Sequence, residues 1–323
     1  MNNDLCPRTD RRTFLTTAGM TAAALALGHT VTAEAATPAP ASTRFKPMAM
    51  GLLIHPFPDP EERIALVAKM GFPTCFFSLD NYLGKFTPDL AKRMQDALAK
   101  HNVVATTAEV VQPPPLKWNF MEGPSTIGIV PRAYRAARVD ALKQTSDFAK
   151  LLGIDKIQTH CGFIPEDPHD PLYEETVATI RQLTEHCAAN GQNFLMETGQ
   201  ETPTTMLRVI KDINLPTLGV GLDTANLILY GKANPVDAIK VLGPYVRAMH
   251  AKDGKWPTDP MQLGKEVKIG EGEVDFEKVL TGLHALGYKG AVTIERETSG
   301  PQQIKDVSDE KIYLERILAK LKS

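Results

Sequence analysis

Asn193-Phe194-Leu195-Met196-Glu197 and Thr217-Leu218-Gly219-Val220-Gly221-Leu222-Asp223 are short apolar runs that each end in a carboxylate. Downstream, Val246-Arg247-Ala248-Met249-His250 and Ala291-Val292-Thr293-Ile294-Glu295 repeat the design and end in His and Glu. Runs of this length, bounded by longer segments of helical period, read as strands of a parallel sheet joined by crossover helices. The period shows after them: Phe276, Val279, Leu280 and Leu283 recur at i, i+3, i+4 and i+7, and Ile312, Ile317, Leu318 and Leu321 give the last segment an apolar side. Upstream, residues 47–54, 73–79, 103–110 and 156–160 supply four more runs and complete a set of eight. Eight alternating units predict a single α/β domain over residues 45–323, a closed (β/α)8 TIM barrel rather than an open doubly wound sheet.

Glu197, Asp223, His250 and Glu295 follow one another at intervals of 26, 27 and 45 residues. One β/α unit takes about 25–30 residues, and the last interval includes a long connection over 251–272, so the four residues should stand side by side at one mouth of the barrel. Three carboxylates and an imidazole held together in a partly dry mouth repel one another unless a cation neutralises them. Three oxygen donors with one nitrogen suit one fairly hard divalent metal ion, Mn²⁺, Mg²⁺ or Co²⁺; Zn²⁺ can bind, although a structural zinc site would use Cys or more His.

The segments Met196-Glu197-Thr198-Gly199-Gln200-Glu201, Gly221-Leu222-Asp223-Thr224-Ala225-Asn226-Leu227, His250-Ala251-Lys252-Asp253-Gly254, Gly270-Glu271-Gly272-Glu273-Val274-Asp275-Phe276 and Ile294-Glu295-Arg296-Glu297 carry a resemblance. From Phe45 to Lys322 the chain resembles the xylose isomerase-like TIM barrels, the sugar phosphate isomerases/epimerases. In ketose 3-epimerases of that group the counterparts of Glu197, Asp223, His250 and Glu295 bind one metal, and the two Glu shuttle protons. The resemblance therefore implies a sugar isomerase or epimerase in which a metal-stabilised enediolate forms next to a carbonyl. The same base and metal would serve a lyase or hydratase acting on 3-keto-glycosides or keto-polyols. The group's ketose 3-epimerases carry His and Arg where this chain has Asn226 and Trp256, which points away from a simple ketohexose 3-epimerase.

Further candidates for substrate binding sit around these positions. His55, Glu109 and His160 lie at the ends of the first, third and fourth runs, each able to bond a sugar hydroxyl or to be satisfied by the backbone. Asn226 follows the Asp ligand, and Lys252 either donates to a substrate oxygen or pairs with Asp253 on its loop. Trp118, in the long connection 112–132, and Trp256 supply an apolar wall for a sugar ring or simply pin their loops.

At the N-terminus, Asp10-Arg11-Arg12-Thr13-Phe14-Leu15 precedes an apolar stretch over 18–28 and a small-x-small site at Ala33-Glu34-Ala35. This reads as a bacterial twin-arginine signal over 1–35, followed by a flexible leader over 36–44, and it implies a periplasmic or secreted protein without a stable membrane anchor. Export in turn favours an unphosphorylated carbohydrate as the small-molecule partner. With 36 basic and 38 acidic side chains and a formal charge of −2, the chain has no footprint for nucleic acid. That charge, with few His at the strand ends, argues against a phosphoesterase resembling endonuclease IV, and an intact quartet argues against a barrel that only binds sugar. Barrels of this group are often homo-oligomers. Beyond the signal three cysteines remain, Cys75, Cys161 and Cys187, an odd number in which at least one should be a buried free thiol.

Overall fold

The computed structural model describes residues 44–321; the expected signal and all of the leader but Arg44 lie outside the described residues. Eight parallel strands close in the order β1 (Met50–Ile54), β10 (Val292–Ile294), β7 (Val246–Ala251), β6 (Leu218–Asp223), β5 (Asn193–Glu197), β4 (Lys156–Thr159), β3 (Val104–Glu109) and β2 (Thr74–Ser78). Each expected strand is present within a few residues of its expected bounds, and the (β/α)8 barrel of a single domain is the fold observed.

Helix starts are written into the chain as a capping residue followed by proline. Asp59-Pro60, Thr87-Pro88, Asp170-Pro171, Thr202-Pro203 and Asn234-Pro235 open α1 (Pro60–Lys69), α2 (Pro88–His101), α5 (Pro171–Ala189), α6 (Pro203–Ile213) and α8 (Pro235–Leu242). In each, the side chain of the first residue accepts a backbone N–H of the first turn, while proline takes a place where its missing N–H costs nothing. The apolar faces of the helices pack on the outward residues of the strands, such as Val220 and Leu222 of β6, which are fully buried.

Inward residues fill the barrel. Phe76, Leu195 and Ala248, with Leu53 against them, form a separate cluster inside it. Gly221 leaves room there for the Gln158 side chain that crosses the interior: a Cβ would lie 1.9 Å from its amide oxygen and would displace it. Alternation then carries Leu195 to Glu197, Gly221 to Asp223 and Ala248 to His250, so the inward row of each strand ends in a ligand-type residue at the C-terminal mouth.

The long connection after β7 holds a two-stranded antiparallel sheet, β8 (Asp253–Lys255) with β9 (Lys265–Val267). Its anchor is Asp253, whose carboxylate accepts from the backbone N–H groups of Gly254, Gly270, Gly272 and Val274 at 2.8–3.1 Å. Asp253 therefore shapes the loop and does not pair with Lys252. Cys75, Cys161 and Cys187 are all free and buried, where the odd count required only one of them to be. Among the described residues no helix is long and apolar enough to cross a membrane.

Candidate metal centre

Register places the quartet. Glu197 pairs with Gly221 across β5 and β6, Asp223 with His250 across β6 and β7, and His250 with Thr293 across β7 and β10, while the Glu295 N–H donates to Ala251 O. One ligand atom from each of Glu197, Asp223, His250 and Glu295 lies within 4.8 Å of the others. His250 Nδ1 faces Glu197 Oε1 and Glu295 Oε2, both at 3.1 Å, and Asp223 Oδ2 at 3.8 Å. Phe76 packs edge-on against the imidazole, and packing rather than a bond at Nε2 fixes the ring, since that atom has no partner.

The donor atoms fit a cation. Asp223 Oδ1 is spent capping α7 (Thr224–Leu229) through the Asn226 N–H at 2.8 Å, which leaves Oδ2 for the centre. Asp223 Oδ2, Glu197 Oε2 and Glu295 Oε2 are buried without a hydrogen-bond partner, an arrangement that is costly unless a positive charge serves them. Three carboxylate oxygens and one imidazole nitrogen make the oxygen-rich set that hard divalent ions prefer.

Electrostatics among these groups run against burial. Burial alone would favour a neutral imidazole, but Glu295, Asp223 and Glu197 together raise His250 well above its usual range. Burial would likewise neutralise Glu295, yet Lys252 and His250 hold it well below the usual carboxylate range. Asp223 is pushed up to about 6 by burial despite Lys252. Lys252 itself is fully buried; burial opposes its charge, and Glu295, Asp223 and Glu297 more than restore it. Its Nζ donates to Glu297 Oε1 at 2.6 Å and Asn226 Oδ1 at 3.4 Å, and lies 3.5 Å from Glu295 Oε2 and 3.7 Å from Asp223 Oδ2.

The other expected residues divide. His160 Nε2 sits 3.2 Å from Glu197 Oε2, its Nδ1 meets the Gln200 side-chain amide at 3.1–3.2 Å, and Trp118 lies edge-on to its ring at 5.1 Å between centroids. Glu109 is buried beneath the quartet, raised well above the usual carboxylate range by burial and by the Glu197 charge, and meets Gln158 Nε2 at 3.5 Å. His55 is exposed at the end of β1. Trp256 is 40% exposed, and among the described residues no hydrogen bond or ring contact joins it to the quartet. Glu297, Gln200 and Glu201 belong to the surroundings of the site; all three lie in stretches marked in the sequence, but sequence places Glu201 only near the ligands, with nothing to aim it inward, and assigns no role to Glu297 or Gln200.

The model of the xylose isomerase-like TIM barrel family matches residues 64–317. The chain belongs to that family. A xylose isomerase domain protein from Planctomyces limnophilus is 30% identical, with a TM-score of 0.76 over 86% of this chain and 98% of that one. A xylose isomerase-like TIM barrel protein from Mycobacterium smegmatis, solved in complex with magnesium, is 17% identical with a TM-score of 0.65, covering 88% of this chain and 99% of that one. The uncharacterized protein MJ1311 of Methanocaldococcus jannaschii is 25% identical over 174 residues, which is 50% of this chain and 58% of that protein. At 14–20% identity the same fold is found in a D-tagatose 3-epimerase-like protein, the 3-keto-D-glucoside 4-epimerase YcjR of E. coli and the probable 3-DHS dehydratase AsbF of Bacillus anthracis. The structural neighbours of this xylose isomerase-like barrel thus include sugar epimerases and a dehydratase.

Proposed function

We propose that this protein is a divalent-metal-dependent isomerase or epimerase that moves a proton next to the carbonyl of an unphosphorylated carbohydrate. The observation that carries the reading is the convergence of Glu197, Asp223, His250 and Glu295 within 4.8 Å, with three buried carboxylate oxygens that make no hydrogen bond and lie 3.1–3.8 Å from His160, His250 or Lys252. When bound, a divalent ion polarises a carbonyl and a neighbouring hydroxyl oxygen and acidifies the C–H between them. Glu197 is the base we assign: Oε1 is held by His250, and Oε2 accepts the proton beside His160 Nε2. Glu295 comes from the far end of the four-strand run β5, β6, β7, β10 and is the most exposed member, its side chain 16% accessible against 0–2% for the rest, so it can return a proton from another side. Lys252 and Asn226 offer hydrogen bonds to substrate oxygens beside Glu295 and Asp223.

Lys252 also favours a second reading, a lyase or dehydratase acting on a 3-keto-glycoside, because a buried ammonium within 3.5 Å of Glu295 can donate to a departing oxygen. The names of the epimerase and dehydratase neighbours are in keeping with both readings. The twin-arginine motif and apolar run in the first 35 residues support placing the enzyme outside the cytoplasm, and with it the choice of an unphosphorylated sugar.

The test is proton exchange. Mature protein in D₂O with Mn²⁺, Mg²⁺ or Co²⁺ should place deuterium beside the carbonyl of one or more ketoses, aldoses or 3-keto-glycosides, a chelator should stop it, and the labelled carbon should separate epimerase from isomerase from lyase. Absence of exchange at every substrate carbon in metal-loaded protein would overturn the proposal.

A further inference from the structure

β10 ends at Ile294, one residue before Glu295. The Glu295 N–H still donates to Ala251 O at 3.1 Å, but the two residues after it lie past the barrel ladder. Side chains hold them instead. Arg296 O accepts from Gln303 Nε2 of α10 (Gly300–Lys320) at 2.8 Å, and the Glu297 N–H donates to Glu266 Oε1 of β9 at 3.3 Å. The alternation of the strand continues through this segment. Glu295 and Glu297 both face Lys252 Nζ, at 3.5 and 2.6 Å, while the side chain between them takes the other direction.

That side chain, Arg296, stands among three carboxylates. Its Nη1 donates to Glu266 Oε2, its Nε and Nη2 meet Asp306 Oδ2 at 3.0 Å, and Glu310 Oε1 lies 3.8 Å from Nε. Each acid is tied to a further group: Glu266 to the Glu297 N–H, Asp306 to Gln302 Nε2 at 2.7 Å, and Glu310 to the Ile269 N–H at 3.0 Å. Asp306 and Glu310 are buried, so the cluster has little freedom to shift. One guanidinium therefore fastens the end of β10 to β9 and to α10 together. A planar fork of five donors fixes its acceptors in direction as well as distance, which an ammonium on a flexible stem does not.

We propose that Arg296 is a positioning residue of the metal centre: held outward by Glu266, Asp306 and Glu310, it sets where Glu295 meets the ion and where Glu297 holds Lys252. The inference rests on the metal-centre reading of the quartet, but it concerns the placement of two carboxylates and not the proton transfer, so the two fail separately. Groups that orient a ligand in this way contribute about 10–100-fold to metal affinity or activity.

The experiment uses Arg296→Lys, which keeps the positive charge that the three acids need and removes the fork. In metal-free protein the amide hydrogens of Glu295 and Glu297 should exchange about tenfold faster or more. Mn²⁺ affinity, read by titration calorimetry, should fall by about 10–100-fold. Lys268→Met is the control: it breaks the Lys268 Nζ–Asp309 Oδ2 pair at 2.6 Å, a second link from the end of β9 to α10 that does not involve Arg296, and should leave Mn²⁺ affinity unchanged. Glu266→Ala removes the acceptor shared by Arg296 and the Glu297 N–H, should also weaken Mn²⁺ binding, and decides the matter if Arg296→Lys does not fold. Unchanged amide exchange or wild-type Mn²⁺ affinity in folded Arg296→Lys overturns the role, and so does an equal loss of affinity in Lys268→Met. A wild-type protein that binds no metal overturns it together with the metal centre. If the wild type binds Mn²⁺ but exchanges no substrate proton, the proton-transfer reading fails, and the loss of affinity in Arg296→Lys still supports the positioning role.

Discussion

At Glu197 the two carboxylate oxygens face different neighbours, Oε1 toward His250 and Oε2 toward His160, whereas at Glu295 Oε2 lies between His250 and Lys252. Replacing either Glu by Gln keeps the shape and removes the ability to accept a proton. We expect Glu197→Gln and Glu295→Gln each to lower deuterium exchange by about 10²–10⁴-fold while circular dichroism stays unchanged; a rate within threefold of wild type would remove that residue from the mechanism. Glu201 presents a different case. Its carboxyl is buried, neither oxygen has a side-chain partner, and burial pushes it up to about 8, opposed by its own backbone N–H and by Lys232, with Glu197 adding to the rise. The unfolded chain releases this proton near 4.5 and the folded chain near 8, so the folded state binds more protons in between and stability falls as pH rises across that window. Glu201→Gln removes the titration and should gain on wild type by on the order of 2–4 kcal/mol between pH 5 and 8.5, read by urea unfolding at both values. Parallel profiles for the two proteins would show that Glu201 does not titrate in this range.

Single elements explain what sequence could and could not reveal. Most strands were legible because a barrel strand buried on both faces is largely apolar, as in β5 and β6, whereas β3 and β4 carry Thr, Lys and Gln; a side-chain period of two then carries the terminal residue inward whenever the run before it is in register. The quartet followed directly. The helix starts were equally legible, as capping residues before Pro60, Pro88, Pro171, Pro203 and Pro235, a signal that period alone does not use. Lys252 shows the limit. Its neighbour in sequence is Asp253, yet Asp253 turns to four backbone N–H groups between residues 254 and 274 and leaves Lys252 to Glu297, a pairing of two strand ends that no local pattern encodes. The same reasoning gives a test of the element: Asp253→Ala strands several buried donors, at about 1–3 kcal/mol for an unsatisfied group. We expect a lower thermal midpoint and faster amide exchange confined to residues 268–275 and the β8–β9 hairpin. Unchanged protection of that segment would mean the loop is held by something other than this carboxylate.

For the whole molecule, a metal at the quartet would tie together β5, β6, β7 and β10, which are consecutive in the closed barrel and contribute one ligand each. An ion that binds only when these four strand ends are assembled adds its binding free energy to folding, by about 2.7 kcal/mol at a concentration one hundred times its dissociation constant. For a domain of this size that corresponds to a rise in thermal midpoint of roughly 5 °C. Protons compete for the same atoms, because His250, raised by its three carboxylates, must lose its Nδ1 proton before that atom can act as a ligand. The stabilisation by Mn²⁺, Mg²⁺ or Co²⁺ over chelator should therefore be larger at pH 8 than at pH 6. Glu201→Gln, outside the quartet, should keep the metal-dependent rise, while Asp223→Asn, which retains the capping oxygen but weakens the charge at Oδ2, should lose most of it. A midpoint indifferent to every divalent ion at both pH values would mean that the buried carboxylates are balanced by His250 and Lys252 alone, and the barrel would have to do its chemistry with those two cations.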